Sequence, residues 1–394
     1  MQDGACRSRV AYGVAVSDTS AVAFGQRMLA LLDTGSFTAS YKYAVLLAIM
    51  DAVLEGTDEL GRPPAVLHGR DIGRRVLRLY WPQTRPFTER GALRQSSQRG
   101  SIVEKMAVFR EDHRLGDRMT VEQAQALHPD AFAALERHVV ATVVRYPIPL
   151  LQKVGSGGRA IEQRFIYTYT WDEGVATGGV HDPAFDDAMH LVDGAGEHLI
   201  ALTGLLRPVI QRDWLAFVAR RNHADVDELR LQDFLFGGDR SGLRELVDPL
   251  RELQRGACFY CREPGGSWEV DHFLPWSRWP DNTLDNLVLA HRRCNNDKRA
   301  ALPGLGHLDR WWQRFRDTTE VAEELRQIAD ATAWPRRAQA TRSAAGALYL
   351  RQPAQTALWV ALGIVEELDH GRLRTIMRGA ALGLAAEDQG DFTT

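Results

Sequence analysis

Residues 258–299 read CFYCREPGGSWEVDHFLPWSRWPDNTLDNLVLAHRRCNNDKR, and the fold and chemistry of the chain turn on this stretch. It holds two pairs of soft or borderline metal ligands, Cys258 and Cys261 in a CxxC and His291 and Cys294 in an HxxC. Each pair can present both ligands from one tight knuckle, and together they supply the four-coordinate shell that structural zinc prefers. A lone CxxC often serves redox chemistry; a second pair 30 residues later favours zinc. The fourth cysteine of the chain, Cys6, stands far from these three. Four cysteines are too few for a disulfide scaffold, so their clustering points to a metal in a reducing cytoplasm.

Between the knuckles run Glu269-Val270-Asp271-His272-Phe273-Leu274-Pro275 and then Asp285-Asn286-Leu287-Val288-Leu289. The apolar positions predict a strand ending near His272, a loop, a second strand near 287–289 and a helix opening around Arg293. Phosphodiester hydrolysis needs a base to activate water and a cation to stabilise charge on phosphate and leaving oxygen. His272 and Asp271 can divide those tasks, and Asn295 can complete a hard oxygen shell for the cation. Neighbouring strand residues point to opposite faces, so a twist or bulge is expected to bring both side chains to one phosphate. Arg292, Arg293, Lys298 and Arg299 are the candidate phosphate-binding cations.

With these residues in place the segment resembles the HNH endonucleases of the ββα-metal (His-Me finger) superfamily, in the subgroup whose finger is braced by a zinc-knuckle pair. The resemblance runs from Cys258 to about Ala300. It implies that His272 is the general base, that Asp271 and Asn295 hold a catalytic Mg2+ or Mn2+, and that Asn286 fixes the loop orienting His272. It implies a structural Zn2+ on Cys258, Cys261, His291 and Cys294. Two positions depart from the commoner pattern: Asn295 replaces a final histidine, and His291 replaces a cysteine. The function implied is hydrolysis of DNA phosphodiester bonds, with restriction or anti-phage defence as the expected setting. The alternatives are a non-catalytic zinc-dependent module binding nucleic acid or protein, and a nuclease directed at RNA.

Outward from this centre, 394 residues exceed the usual single core and suggest several domains. Hydrophobic residues at 45% and charged residues at 25% exclude the disordered and fibrous classes. No run approaches the roughly 18 apolar residues of a membrane span, and the N-terminus lacks a signal pattern, so a soluble cytoplasmic protein without membrane contact is expected. The net charge of -3 conceals a basic segment. From Arg62 to Arg118 there are 13 Lys/Arg against 6 Asp/Glu, an excess that suits a DNA partner.

Residues 20–56 read as two amphipathic helices broken at Asp33-Thr34-Gly35-Ser36, with Thr38 or Ser40 as candidate cap of the second. Arg70, Arg74, Arg75 and Arg78 share parts of one helical surface, which makes 1–120 a helical region with helix-turn-helix-like DNA binding as its candidate role. Residues 121–245 form a mixed middle region: helix at 120–146, a flexible Gly155-Ser156-Gly157-Gly158 turn, a strand at Arg164–Trp171, and mostly helix at 185–222 with Pro208 forcing a break. Gly237-Gly238-Asp239 leads into a helix at 243–255, the nuclease domain occupies 246–305, and 306–394 reads as helical with an acidic end at 383–394. Trp311 and Trp312 are expected to pack this region onto the preceding one, base stacking being the sharper alternative. The predicted class is α+β, predominantly helical, with an embedded ββα-metal finger braced by zinc. A partner protein or homo-oligomerisation is the expected means of regulation.

Overall fold

The computed structural model describes residues 20–34, 39–87, 91–97, 101–117, 119–154, 161–172, 174–222, 227–237, 240–316 and 318–378. Cys6, Gly35, Ser36, Thr38, the 155–158 glycine cluster, Gly238-Asp239 and the acidic 383–394 stretch lie outside them. The fold is mostly helical α+β with four small antiparallel sheets. Among the described residues no helix is long and apolar enough to cross a membrane.

Helices Ala21–Thr34 and Tyr41–Glu55 open the fold. Every side chain of the second is buried except Tyr41, Asp51 and Glu55, so where an amphipathic helix was expected the fold encloses this one on nearly every side. Ser40 occupies its N-cap position without making the cap bond. The hydroxyl instead donates to Gln95 Oε1 (2.8 Å) and shares a hydrogen bond with Tyr80 (2.7 Å). Helix Gly69–Tyr80 crosses helix Pro129–Arg145 at Gly73, where an added Cβ would meet Val140 Cα at 2.8 Å. Only glycine permits that approach.

The arginines of helix Gly69–Tyr80 face carboxylates of their own helix and of other elements. Arg74 pairs with Asp71 (2.6 Å) and Glu136 (3.0 Å), Arg75 with Glu55 (2.6 Å) and Arg78 with Glu122. Arg70 donates to the Val180 carbonyl (2.9 Å). The charges of Arg74, Arg75 and Arg78 are thereby answered within the protein.

Several expectations need correction. The 120–146 stretch is two helices, Val121–Leu127 and Pro129–Arg145, because Pro129 restricts His128 and starts a new first turn. The 164–171 strand shortens to Tyr167–Tyr169, and the 185–222 stretch begins with strand Ala188–Leu191, which pairs with both Tyr167–Tyr169 and Val66–His68. Pro208 sits inside helix Thr203–Asn222 without ending it. It lies in the second turn, where it forfeits one backbone bond, to the carbonyl of Gly204. The helix expected at 243–255 is broken into Arg240–Leu243, a 3-10 turn Arg244–Leu246 and helix Val247–Leu253, with Pro249 accommodated in the last one's first turn.

Downstream, helices Leu305–Trp312 and Glu320–Thr332 are followed by helix Ala338–Leu350, a hairpin of Ala357–Ala361 with Ile364–Glu367, and helix His370–Arg378. Trp311 and Trp312 are both buried, Trp311 stacked on Phe273 at 4.2 Å, so they are packing residues rather than a base-stacking surface. Helix Ala338–Leu350 lies against Tyr41–Glu55, and one apolar core runs from Phe24 to Met377. A smaller cluster of leucines, including Leu246, Leu250, Leu287 and Leu289, joins helix Val247–Leu253 to the strand that follows the 273–286 loop.

Candidate active site

Strand Trp268–His272 pairs antiparallel with Leu287–His291 in unbroken register, Asp271 opposite Val288 and His272 opposite Leu287. Helix Arg292–Lys298 follows directly. The register holds no bulge. Glu269 and Asp271 share one strand face and meet that helix: Asn295 Nδ2 donates to Glu269 Oε2 (2.9 Å), and the Lys298 ammonium pairs with Asp271 Oδ2 (2.8 Å). His272, on the alternate face, ends the strand.

The loop after His272 is clamped by Asn286, which is fully buried. Its carboxamide oxygen accepts from Leu274 N (2.8 Å), while its Nδ2 donates to the carbonyls of Leu274 (3.3 Å) and Asp281 (3.2 Å). Within this loop Asn282 presents Oδ1 to His272 Nε2 at 2.7 Å. An amide oxygen only accepts, so Nε2 carries the proton and the imidazole lone pair belongs to Nδ1. The Trp276 ring stands 5.0 Å from the imidazole, and Trp334 Nε1 donates to the Asn282 carbonyl (2.7 Å).

Asp271 is buried, and its Oδ2 also accepts from Tyr260 Oη (2.6 Å). Burial first, then the Asp271 charge, holds the Tyr260 phenol well above its ordinary pKa, so it remains a donor. Lys298 is buried too, with a second bond to the His272 carbonyl (2.8 Å).

Asp271, His272 and Asn295 open on one cleft of about 920 Å3, together with Glu269, Arg292 and Arg299. Of the four cations read as phosphate ligands, Arg292, Lys298 and Arg299 line the cleft, Lys298 as a buried residue. Lys298 is held beneath Asp271, and Arg293 bonds to the Cys261 and Cys294 thiols. Arg292 also lies 3.3 Å from Glu269. The carboxylates of Asp271 and Glu269 with the Asn295 carboxamide form the kind of hard oxygen set that suits a divalent cation.

The second centre is the thiol–imidazole cluster. One ligand atom from each of Cys258, Cys261, His291 and Cys294 lies within 4.8 Å of every other. Tetrahedral zinc–sulfur bonds place their sulfurs roughly 3.8 Å apart, so the donor set fits a metal such as zinc. His291 Nε2 bonds to the Gly265 carbonyl, which leaves Nδ1 as the ligand atom, 3.3 Å from Cys261 Sγ. Gly266 has φ +92°, and an added Cβ would lie 3.1 Å from the His291 ring, so this close approach uses glycine on both counts. Burial and then the neighbouring Cys258 and Cys261 push the Cys294 thiol up to about 12. Burial opposes ionisation at Cys261 also, but hydrogen bonds from the Glu263 backbone, the other thiols and Arg293 pull it down. Tyr260 stands between the two cysteines of the first knuckle, so the knuckle itself holds the Asp271 carboxylate.

The sequence alone assigns no site role to Glu269, Asn282 or Tyr260. Glu269 is legible in it, two residues before Asp271 on the same strand face; the other two depend on tertiary contacts. Neither a curated protein nor a solved structure matches the chain. Residues 263–304, which take in both strands, the clamped loop and the helix bearing Asn295, match the HNH endonuclease family, so this part of the chain is similar to HNH endonucleases.

Proposed function

We propose that the protein is a metal-dependent HNH endonuclease that hydrolyses DNA through a ββα-metal finger, acting in the cytoplasm in restriction or anti-phage defence. The observation that carries this reading is the meeting of Asp271, His272 and Asn295 on one cleft with Arg292 and Arg299. His272, with its Nε2–H fixed by Asn282, takes the proton of the attacking water at Nδ1. Asp271, Asn295 and Glu269 hold a Mg2+ or Mn2+, which when bound stabilises negative charge on the phosphate and the departing 3′ oxygen. Arg292 and Arg299 neutralise flanking phosphates. Asn286 keeps the loop that orients the imidazole, and Lys298 and Tyr260 orient Asp271. Cys258, Cys261, His291 and Cys294 would hold a structural Zn2+, and the knuckle they form fixes Tyr260. The products carry 5′-phosphate and 3′-hydroxyl ends.

A plasmid-nicking assay in Mg2+ or Mn2+, with and without chelator, tests the reading. His272→Ala is expected to lower the rate by about 10²–10⁴. Cleavage at the wild-type rate by that variant removes His272 from the mechanism, and cleavage of RNA in place of DNA changes the substrate while keeping the chemistry.

A further inference from the structure

Behind His272 lies a second cavity of about 330 Å3, walled on one side by the helical body and on the other by the 273–286 loop. Its volume falls within the range of about 300–1,000 Å3 that holds small organic ligands. Trp81, Trp214, Phe236 and Trp276 give it aromatic walls suited to a flat ring. Gln211 adds a carboxamide able to read the edge of such a ring, and Arg85, anchored through Nε to the Pro82 carbonyl (2.7 Å), adds positive charge.

Arg207 supplies an independent sign of a ligand. It lies in this wall, is fully buried and is charge-balanced by Asp51, and its Nε donates to the Arg278 carbonyl (3.2 Å). Its Nη1 has no hydrogen-bond partner among the described residues. A buried donor without an acceptor is costly, and an acceptor oxygen brought to this wall relieves it.

We infer that this cavity is a nucleotide-binding pocket: the aromatic walls and Gln211 take the base, and Arg85 and Arg207 take oxygens of its phosphate or carbonyl groups. The pocket is wired to the proposed base. Asn282 lines the cavity and bonds His272, and Trp276 belongs to the walls of both cavity and cleft. An occupant therefore packs on the back of the two residues that hold the imidazole. Nucleotide binding stands independently of the nuclease reading, whereas its effect on cleavage rests on it. The nucleotide is either free in solution or a residue swung out of the bound strand.

The full chain is titrated with each nucleoside 5′-monophosphate, followed by calorimetry and by the tryptophan fluorescence of the walls. Saturable binding with Kd on the order of 10–100 µM is expected for at least one of them when the source is a free nucleotide. Gln211→Trp and Leu79→Trp, which fill the cavity, are expected to weaken it at least about tenfold while keeping the wild-type melting temperature; His272→Ala is expected to bind as the wild type does. In the other arm, His272→Ala is mixed with duplex DNA containing 2-aminopurine. A fluorescence rise abolished by adding Gln211→Trp assigns the pocket to a swung-out base. Silence in both arms, or binding indifferent to both filling substitutions, overturns the proposal. Binding that survives when the wild type cuts no nucleic acid keeps the pocket and removes the nuclease reading.

Discussion

His272 takes its tautomer from a residue ten positions along the chain, and that dependence gives Asn282 a measurable signature. Asn282→Asp keeps an acceptor but adds negative charge, which favours the imidazolium form of the neighbouring histidine. The acid limb of the cleavage rate–pH profile is expected to move to higher pH, whereas Asn282→Ala should lower the rate about tenfold or more by releasing the ring. An unchanged profile in the aspartate variant would remove Asn282 from the positioning of the base. The adjacent Asp281 behaves unusually for a carboxylate. Burial, only partly offset by hydrogen bonds from Thr283 and by Arg337, pushes it up to about 6 from 3.8. The folded state therefore binds more protons than the unfolded one between these values, and stability falls as pH rises through the window, the full penalty being present above about 6. Asp281→Asn lacks that component, on the order of 2–3 kcal/mol, so its melting temperature should decline less between pH 4 and pH 7 than that of the wild type. At this scale Asp271, His272 and Asn295 stand out because their chemistry coincides with local spacing, and Asn286 through the family resemblance alone. Asn282 does not, since an irregular loop has no period to place it, and Tyr260 reaches Asp271 only through the folded knuckle.

Among the elements, helix Arg292–Lys298 explains why four clustered cations do not do the same thing. A helix turns about 100° per residue, so Arg292 and Asn295, three apart, follow one side, while Arg299 stands just past the helix end at φ +51°. Lys298 enters the interior and Arg293 turns to the thiols. The sequence placed the helix but treated its cations as a group, where its own periodicity separates them. The expected consequence lies in the salt dependence of DNA affinity. Arg292→Ala and Arg299→Ala should each reduce the log–log slope by about one, and Arg293→Ala should leave it unchanged. Equal slopes for all three would contradict the assignment. The knuckles act at the same scale. With zinc in the proposed site, Cys258→Ser should release Tyr260 from Asp271, lowering both melting temperature and cleavage rate, with metal content measured alongside. The 357–367 hairpin was read as helix because its short apolar run fits either period. Gly363, at φ +68°, is the local sign of its turn.

Across the whole molecule the 273–286 loop is fastened to the helical body by buried charge. Glu55, at the end of helix Tyr41–Glu55, pairs with Arg75 and with Arg337, and accepts from Trp279 Nε1 at 3.3 Å. Four distant parts of the chain thus meet on one carboxylate: two helices of the N-terminal region, the loop carrying Asn282, and the segment leading into helix Ala338–Leu350. Linear boundaries hide this, since ion pairs between residues hundreds of positions apart leave no local pattern in the sequence. Burial resists ionisation of Glu55, but Arg75 and Arg337 outweigh it and bring its pKa below the ordinary value. With the folded pKa depressed, the stabilisation is present above the unfolded value of 4.5 and is lost as pH falls through the folded one. Glu55→Gln leaves the Arg75 and Arg337 guanidinium groups without their shared counter-charge, a change that costs about 3–5 kcal/mol in fully buried pairs and less here, where both arginines reach solvent and Arg337 keeps Asp281 at 3.6 Å. Because the loop and the body share this anchor, the variant should lose tryptophan fluorescence, helical circular dichroism and cleavage in one coincident thermal transition, at a lower temperature than the wild type. A variant whose cleavage fails well below the melting of its helices would show that the nuclease segment is held by its own contacts, with Glu55 contributing only to the body.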